Sequence, residues 1–163
     1  MVQTIVDLIE GSFSLHPSKV AIRIYDNMWT YNDLQDLSSK IARFLLKSGI
    51  KKGDRVVVLM NKSIYLYAAL IGIIQGGGVY VPLDTRTPSE RLGKILEDLV
   101  PFYIFIDRHS LGHYQECDKM LNNQFKAIYL DDEGYNSYEK INFKEASTKD
   151  IEKLPSPSPE DLV

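Results

Sequence analysis

The chain has 163 residues, 44% hydrophobic and 25% charged, ordinary proportions for one globular domain that buries roughly 70% of its unfolded surface. A net charge of −3 offers no basic field to nucleic acid or to an acidic membrane surface, so neither is expected as a partner. The single cysteine, Cys117, closes no internal disulfide, and Met1–Glu10 lacks a basic leader before an apolar run, which together place the chain in the cytoplasm.

Thr4–Ile9 reads as a short amphipathic helix, ended by His16-Pro17. Val20–Tyr25 and Met28–Thr30 read as two strands with Asp26-Asn27 as the turn between them. A helix follows, with Thr30 as N-cap, Asp33 completing an approximate capping box, apolar residues Leu34, Leu37, Ile41, Phe44 and Leu45 at helical spacing, and Gly49 as its C-cap. After the turn Lys51-Lys52-Gly53-Asp54, the β-branched run Arg55–Met60 reads as a strand buried on both faces. Ser63–Ile74 is an apolar, well-buried helix, too short to span a bilayer. Gly76–Gly78 ends it, and Val79–Leu83 forms a short strand closed by Pro82. Thr87 and Pro88 then start a helix as N-cap and first residue, with Leu92, Ile95, Leu96 and Leu99 as its stripe. Pro101 stops it, and Phe102–Ile106 is the next buried strand.

Strands and helices alternating at intervals of about 10–15 residues predict parallel βαβ units, hence an α/β fold with a mainly parallel sheet and helices on both faces. Further on, Leu111–Asn122 reads as helix, Ala127–Leu130 as strand and Asp131–Lys149 as loop. The run Leu154–Pro159, which alternates proline and serine, reads as a linker. The expected division is therefore an α/β part over 1–153 and a linker over 154–163.

Several residues invite a chemical reading and also have a plainer one. Gly76–Gly78 follows a helix and precedes a strand, the reverse of a phosphate loop, so it reads as a helix cap and tight turn. His109, His113 and Cys117 share an i, i+4 spacing that a metal trio would need on a helix, against the simpler reading of solvated histidines. Asp84 and Asp107 follow strands and so lie at the edge where ligands bind in open α/β sheets, whereas Asp54 precedes one; turn roles are the plainer reading of all three. An independent flavodoxin-like nucleotide binder would need a phosphate loop after its first strand, and Asn61-Lys62-Ser63 is a poor one.

Two stretches resemble known patterns. Trp29-Thr30-Tyr31-Asn32-Asp33-Leu34 resembles the first core motif of amino-acid adenylation domains, with Trp29 and Asp33 where leucine and glutamate are usual. Gln75-Gly76-Gly77-Gly78-Val79-Tyr80-Val81-Pro82-Leu83-Asp84, followed by Pro88, Arg91 and Leu92, resembles the second, with departures at Gln75, Gly76 and Val79 and with Thr85 where proline often follows. Gly53-Asp54-Arg55-Val56 is similar to the family's turn into its first buried strand. The likeness is close over Ile9–Asp107 and loose beyond it. The chain thus resembles the N-terminal portion of an AMP-forming adenylation domain of the adenylate-forming ligases, in wording closest to the amino-acid-activating members of nonribosomal peptide synthetases.

That resemblance implies an enzyme that uses ATP and magnesium to turn a carboxylic acid into its adenylate and then passes the acyl group to a thiol, with a phosphopantetheinyl carrier protein and the remaining part of the domain as partners. The family's phosphate loop, acidic magnesium ligand, ribose-binding aspartate and mobile lysine have no counterpart in these 163 residues, so the resemblance transfers no catalytic, cofactor-binding or metal-ligating residue. Tyr80, Pro82 and Asp84 read as structural, Glu160–Val163 as a lead-in to the missing phosphate loop, and the chain alone is expected to be inactive. Two alternatives stand beside this: a non-catalytic split half or degraded paralogue that docks a partner, and the acyl-CoA ligase branch of the same superfamily.

Overall fold

The computed structural model describes residues 4–122, 124–130 and 139–140. In chain order these form α1 (Ile5–Leu15), β1 (Val20–Ile24), β2 (Asn27–Thr30), α2 (Tyr31–Lys47), β3 (Arg55–Leu59), α3 (Ile64–Gln75), β4 (Val79–Pro82), α4 (Ser89–Leu99), β5 (Tyr103–Ile106), α5 (Leu111–Met120), β6 (Ala127–Tyr129) and β7 (Glu139–Lys140). The sequence reading on 154–163 lies outside the described residues.

The N-terminal helix runs to Leu15, longer than Thr4–Ile9, because Phe13 continues the buried row begun by Val6. The following strands β1 and β2 form a separate antiparallel hairpin. Ile24 pairs with Asn27, so the turn is Tyr25-Asp26 rather than Asp26-Asn27, and Tyr25 takes the positive φ of 53°. Thr30 caps α2 as its sequence suggests: its Oγ1 accepts from Asp33 N–H at 3.2 Å while the Asp33 carboxylate accepts from Thr30 N–H at 2.7 Å. At the other end Ser48 is the cap and Gly49 the residue after it, at φ 86°. Gly49 N–H bonds Leu46 O and Ile50 N–H bonds Leu45 O, the paired closure that lets a left-handed residue satisfy the last carbonyls of a helix.

The remaining strands form one parallel sheet in the order β4-β3-β5-β6-β7. The two residues of β7 pair with β6 inside the stretch that reads as loop, too few residues to show a strand period. Side chains leave each strand alternately, and both sets are buried. Val56, Val58, Tyr103, Phe105 and Ile128 meet α2 and α3 on one face; Val57, Leu59, Ile104 and Ile106 meet α4 and α5 on the other. Each such side chain contributes ~1.5–3 kcal/mol when fully buried, which is why β3 and β5 lack the polar alternation of a half-exposed strand.

Edge strand β4 explains where Pro82 is tolerated. Val79 N–H donates to Asp54 O and Leu83 N–H to Val58 O, so odd-numbered residues turn their backbone groups toward β3. Pro82 points the other way, and its missing N–H falls on the open side of the sheet. From β3 the chain turns to α3 on one face, whereas from β4 and β5 it turns to α4 and α5 on the other. The winding therefore changes face at β3, and the carboxyl edge around it is where open α/β sheets place ligands.

Candidate functional site

Three loops meet at that edge, from the ends of the adjacent strands β4, β3 and β5. Asp107, at the end of β5, is only 5% exposed. Its Oδ2 accepts from Asn61 N–H at 2.8 Å, across to the loop after β3, and its Oδ1 accepts from His109 N–H at 3.0 Å and Ser110 N–H at 2.8 Å. Asn61 continues the chain of bonds outward, its Oδ1 accepting from Thr85 Oγ1 at 3.0 Å in the loop after β4. Thr85, Asn61 and Asp107 thus tie three strand ends together in spatial order. The carboxylate of Asp107 is engaged by backbone donors and serves as a brace.

Asp84 turns outward instead. Arg86 grips it with Nε on Oδ1 at 3.1 Å and Nη2 on Oδ2 at 2.8 Å, and Arg86 N–H adds a bond to Oδ1 at 2.9 Å. These hydrogen bonds from the Arg86 side chain, then from its backbone, hold the Asp84 carboxyl down to about 2. Thr87 N–H closes the turn on Asp84 O at 2.9 Å. Thr87 is therefore the end of a turn and not a helix cap: Pro88 holds the cap position of α4, and no side chain caps it. Asp54, at the opposite edge, accepts from Lys51 N–H at 2.8 Å through Oδ2.

The three candidate metal ligands are not brought together. His109 sits in the turn before α5, exposed, so it does not share the helix row. His113 is engaged with α4, Nδ1 at 3.3 Å from Ser89 Oγ and Nε2 on Thr87 O. Cys117 is fully buried, and that burial, with the charges of Asp118 and Glu97, pushes its thiol up, away from the thiolate that binds metal or attacks. Among the described residues no group of three His, Cys, Asp or Glu is placed to hold a metal ion.

The glycine run lies at the amino edge, opposite the ligand edge. Gly76 caps α3 and Gly77 takes φ 82°. Gly76, Gly77 and Gly78 N–H donate at 2.9 Å to Gly72 O, Ile74 O and Ile73 O. A phosphate loop needs such amides free, and here all three close α3. Gly78 is also pinned by space, since a Cβ there would lie 2.8 Å from Ile50 Cδ1 and 3.2 Å from Asp54 O. The glycine amides, Asp107 and Asp84 are thus all engaged within the fold. The Asn61–Asp107 tie has no local sequence signal, because its partners are 46 positions apart; the Thr30–Asp33 capping box was legible in the motif that contains it.

A profile of the family described as AMP-binding enzyme matches residues 9–163. One of the plipastatin synthase proteins of Bacillus subtilis (strain 168) is 40% identical over 110 residues, covering 68% of this chain and 4% of that protein. Gramicidin S synthase 1 of Brevibacillus brevis is 34% identical over 107 residues, 66% of this chain and 10% of that protein. In fold, the chain is similar to the anthranilate CoA ligase AuaEII solved with anthranoyl-AMP, with a TM-score of 0.75 at 18% identity, covering 84% of this chain and 26% of that one. It is also similar to a long-chain-fatty-acid CoA ligase assigned in Rhodopseudomonas palustris CGA009, with a TM-score of 0.76 at 19% identity, covering 96% of this chain and 38% of that one. The chain therefore spans a small part of the curated relatives it matches. With the profile running over nearly its whole length, the chain belongs to the AMP-binding enzyme family, the adenylate-forming ligases, with nonribosomal peptide synthetases among its sequence relatives.

Proposed function

We propose that this chain is the N-terminal α/β part of an ATP-dependent, AMP-forming ligase that activates an amino acid as its adenylate for transfer to the thiol of a carrier protein, in the cytoplasm. The observation that carries this is the match to peptide synthetases, 40% identical over 110 residues and 34% over 107. The CoA-ligase neighbours are under 25% identical and speak to the fold alone. In this reading the chain's own contribution is architectural. The first motif caps α2, the second turns α3 into edge strand β4, and the Thr85–Asn61–Asp107 ties hold the ligand edge in shape. ATP and magnesium would be held by the remaining part of the domain, which Leu154–Pro159 would join to residues 1–153 as a linker, and the carrier protein would serve the complete enzyme.

The test is pyrophosphate exchange with ATP, magnesium and pooled amino acids. The chain alone is expected to give none, and the chain supplied with the downstream portion of an adenylation domain is expected to give exchange. Exchange by the chain alone would place a nucleotide site within these residues and sink the assignment. Exchange that needs an aryl or fatty acid instead of an amino acid would move the chain to the acyl-CoA ligase branch.

A further inference from the structure

We propose that Ser89 is a base-activated nucleophile, with His113 as its base, that takes the acyl group of a small carboxylic ester; this activity is separate from adenylate formation and does not rest on the function proposed above. Ser89 is the first residue of α4, at the end of the loop that leaves the carboxyl edge of β4, and His113 lies in the first turn of α5, which packs beside α4 on the same face of the sheet. The tautomer of His113 follows from its partners. Its Nε2 meets Thr87 O, and a carbonyl oxygen only accepts, so Nε2 carries the ring hydrogen. Nδ1 is then a lone pair, and it faces Ser89 Oγ at 3.3 Å. A hydroxyl, a base within reach of it and a third group that orients the base are the arrangement that activates a serine. The separation is slightly long, as catalytic hydrogen bonds are before a substrate draws the groups together. Glu116, one turn further along α5, brings its Oε2 to 3.3 Å from the same Oγ. A hydroxyl has one hydrogen, so Glu116 competes with His113 for it.

The first turn of α4 serves the charge that develops next. No side chain caps it, and its first backbone bond runs from Leu92 N–H to Pro88 O at 2.8 Å. Among the described residues the N–H groups of Ser89, Glu90 and Arg91 therefore have no acceptor. They stand in the turn that carries the hydroxyl, free to receive the oxyanion of a tetrahedral intermediate. Ser89 and His113 are half-buried among exposed Pro88, Glu90, Gly112 and Glu116, which leaves the pair at the surface, within reach of a small ester. In the reaction Ser89 Oγ forms a bond to the ester carbonyl carbon while its hydrogen passes to His113 Nδ1. The ester C–O bond then breaks, and the leaving oxygen takes that hydrogen from Nδ1. Water attacks the acyl-serine by the same route, releasing the carboxylic acid and restoring the hydroxyl.

The experiment treats the 163-residue chain with a fluorophosphonate probe, and separately with p-nitrophenyl acetate. Peptide mapping is expected to find the probe on Ser89 in the folded chain and not in urea. Ser89→Ala is expected to abolish the labelling and to lower the release of p-nitrophenol. His113→Gln is expected to slow labelling at least about tenfold, since a positioned base supplies ~10²–10⁴-fold. Glu116→Gln, which removes the competing acceptor, is expected to hold the rate or raise it. Labelling that prefers another residue, that persists equally in urea or that His113→Gln leaves unchanged overturns the proposal. Should His113→Gln fail to melt cooperatively, imidazole nitrogen NMR on the unaltered chain decides the role of His113. A hydrogen on Nε2 with Nδ1 bare supports the base, and a hydrogen on Nδ1 overturns it.

Discussion

Replacing Gly72 by alanine sets two physical effects against each other. Gly72 lies inside α3, where alanine is favoured over glycine by ~1 kcal/mol. Its Cβ, however, would stand 2.7 Å from Ser38 O and 2.8 Å from Ile41 Cβ on α2. A backbone oxygen cannot rotate away, so α2 must withdraw by about 0.7 Å, from 2.7 Å to about the 3.4 Å of ordinary contact. That movement loosens Ile41 and Leu45, both fully buried. Overpacking of this kind costs ~1–3 kcal/mol, and a rigid backbone contact belongs at the upper end. Subtracting the ~1 kcal/mol of helix propensity leaves a net loss of ~2 kcal/mol, a fall in Tm of ~4–8 °C for a chain of this size. Gly11→Ala is the matched control, because a Cβ there meets nothing within 4 Å; it keeps the propensity gain and raises Tm by ~2–4 °C. Thermal melts of the two variants decide the matter. A Gly72→Ala protein at least as stable as the parent, with Gly11→Ala raised as expected, would refute the close crossing of α2 and α3.

Asp107→Ala removes the acceptor of three backbone N–H groups at the ligand edge and is expected to cost ~3 kcal/mol; amide exchange should quicken at Asn61, His109 and Ser110, and unchanged protection there would contradict the brace. Asp84 titrates at about 2, below the ordinary carboxylate range. Its folded value is lowered, so its stabilising contribution is present above the unfolded value and is lost as pH falls toward 2. In Arg86→Ala, a carboxyl NMR titration should find Asp84 raised toward the ordinary range, because the larger, side-chain cause is gone while the backbone N–H bond stays; an unmoved value would mean that the Arg86 guanidinium is not its partner. Gln75 is 4% exposed, and among the described residues its Oε1 accepts no hydrogen bond. Gln75→Leu is expected to raise stability by ~1 kcal/mol or more, since a buried unsatisfied oxygen is costly; a lowered Tm would point to an acceptor bond that this arrangement lacks.

Much of the fold is legible along the chain because it is written in local physics. The Thr30–Asp33 box and Gly49 bound α2, and a run such as Val56-Val57-Val58-Leu59 can satisfy its side chains only as a strand covered on both faces. The glycine run reads correctly as an exit from α3, since backbone amides after a helix close that helix before they bind anything else. The misreadings are equally local in cause. A one-residue shift in hairpin pairing moved the turn to Tyr25-Asp26, and the Asp84–Thr87 turn took Thr87 from the role of cap.

The sequence by itself determined that this is a parallel α/β chain, where most of its helices and strands lie, and which family its motifs resemble, because periodicity, caps and turns depend on neighbours within a few residues. Only the tertiary structure decided the strand order that sets β3 between β4 and β5, the brace from Asp107 to Asn61 and the contact of Gly72 with Ser38. These arise between segments far apart in the chain, and one residue type at one position does not encode the partner that folding brings to it.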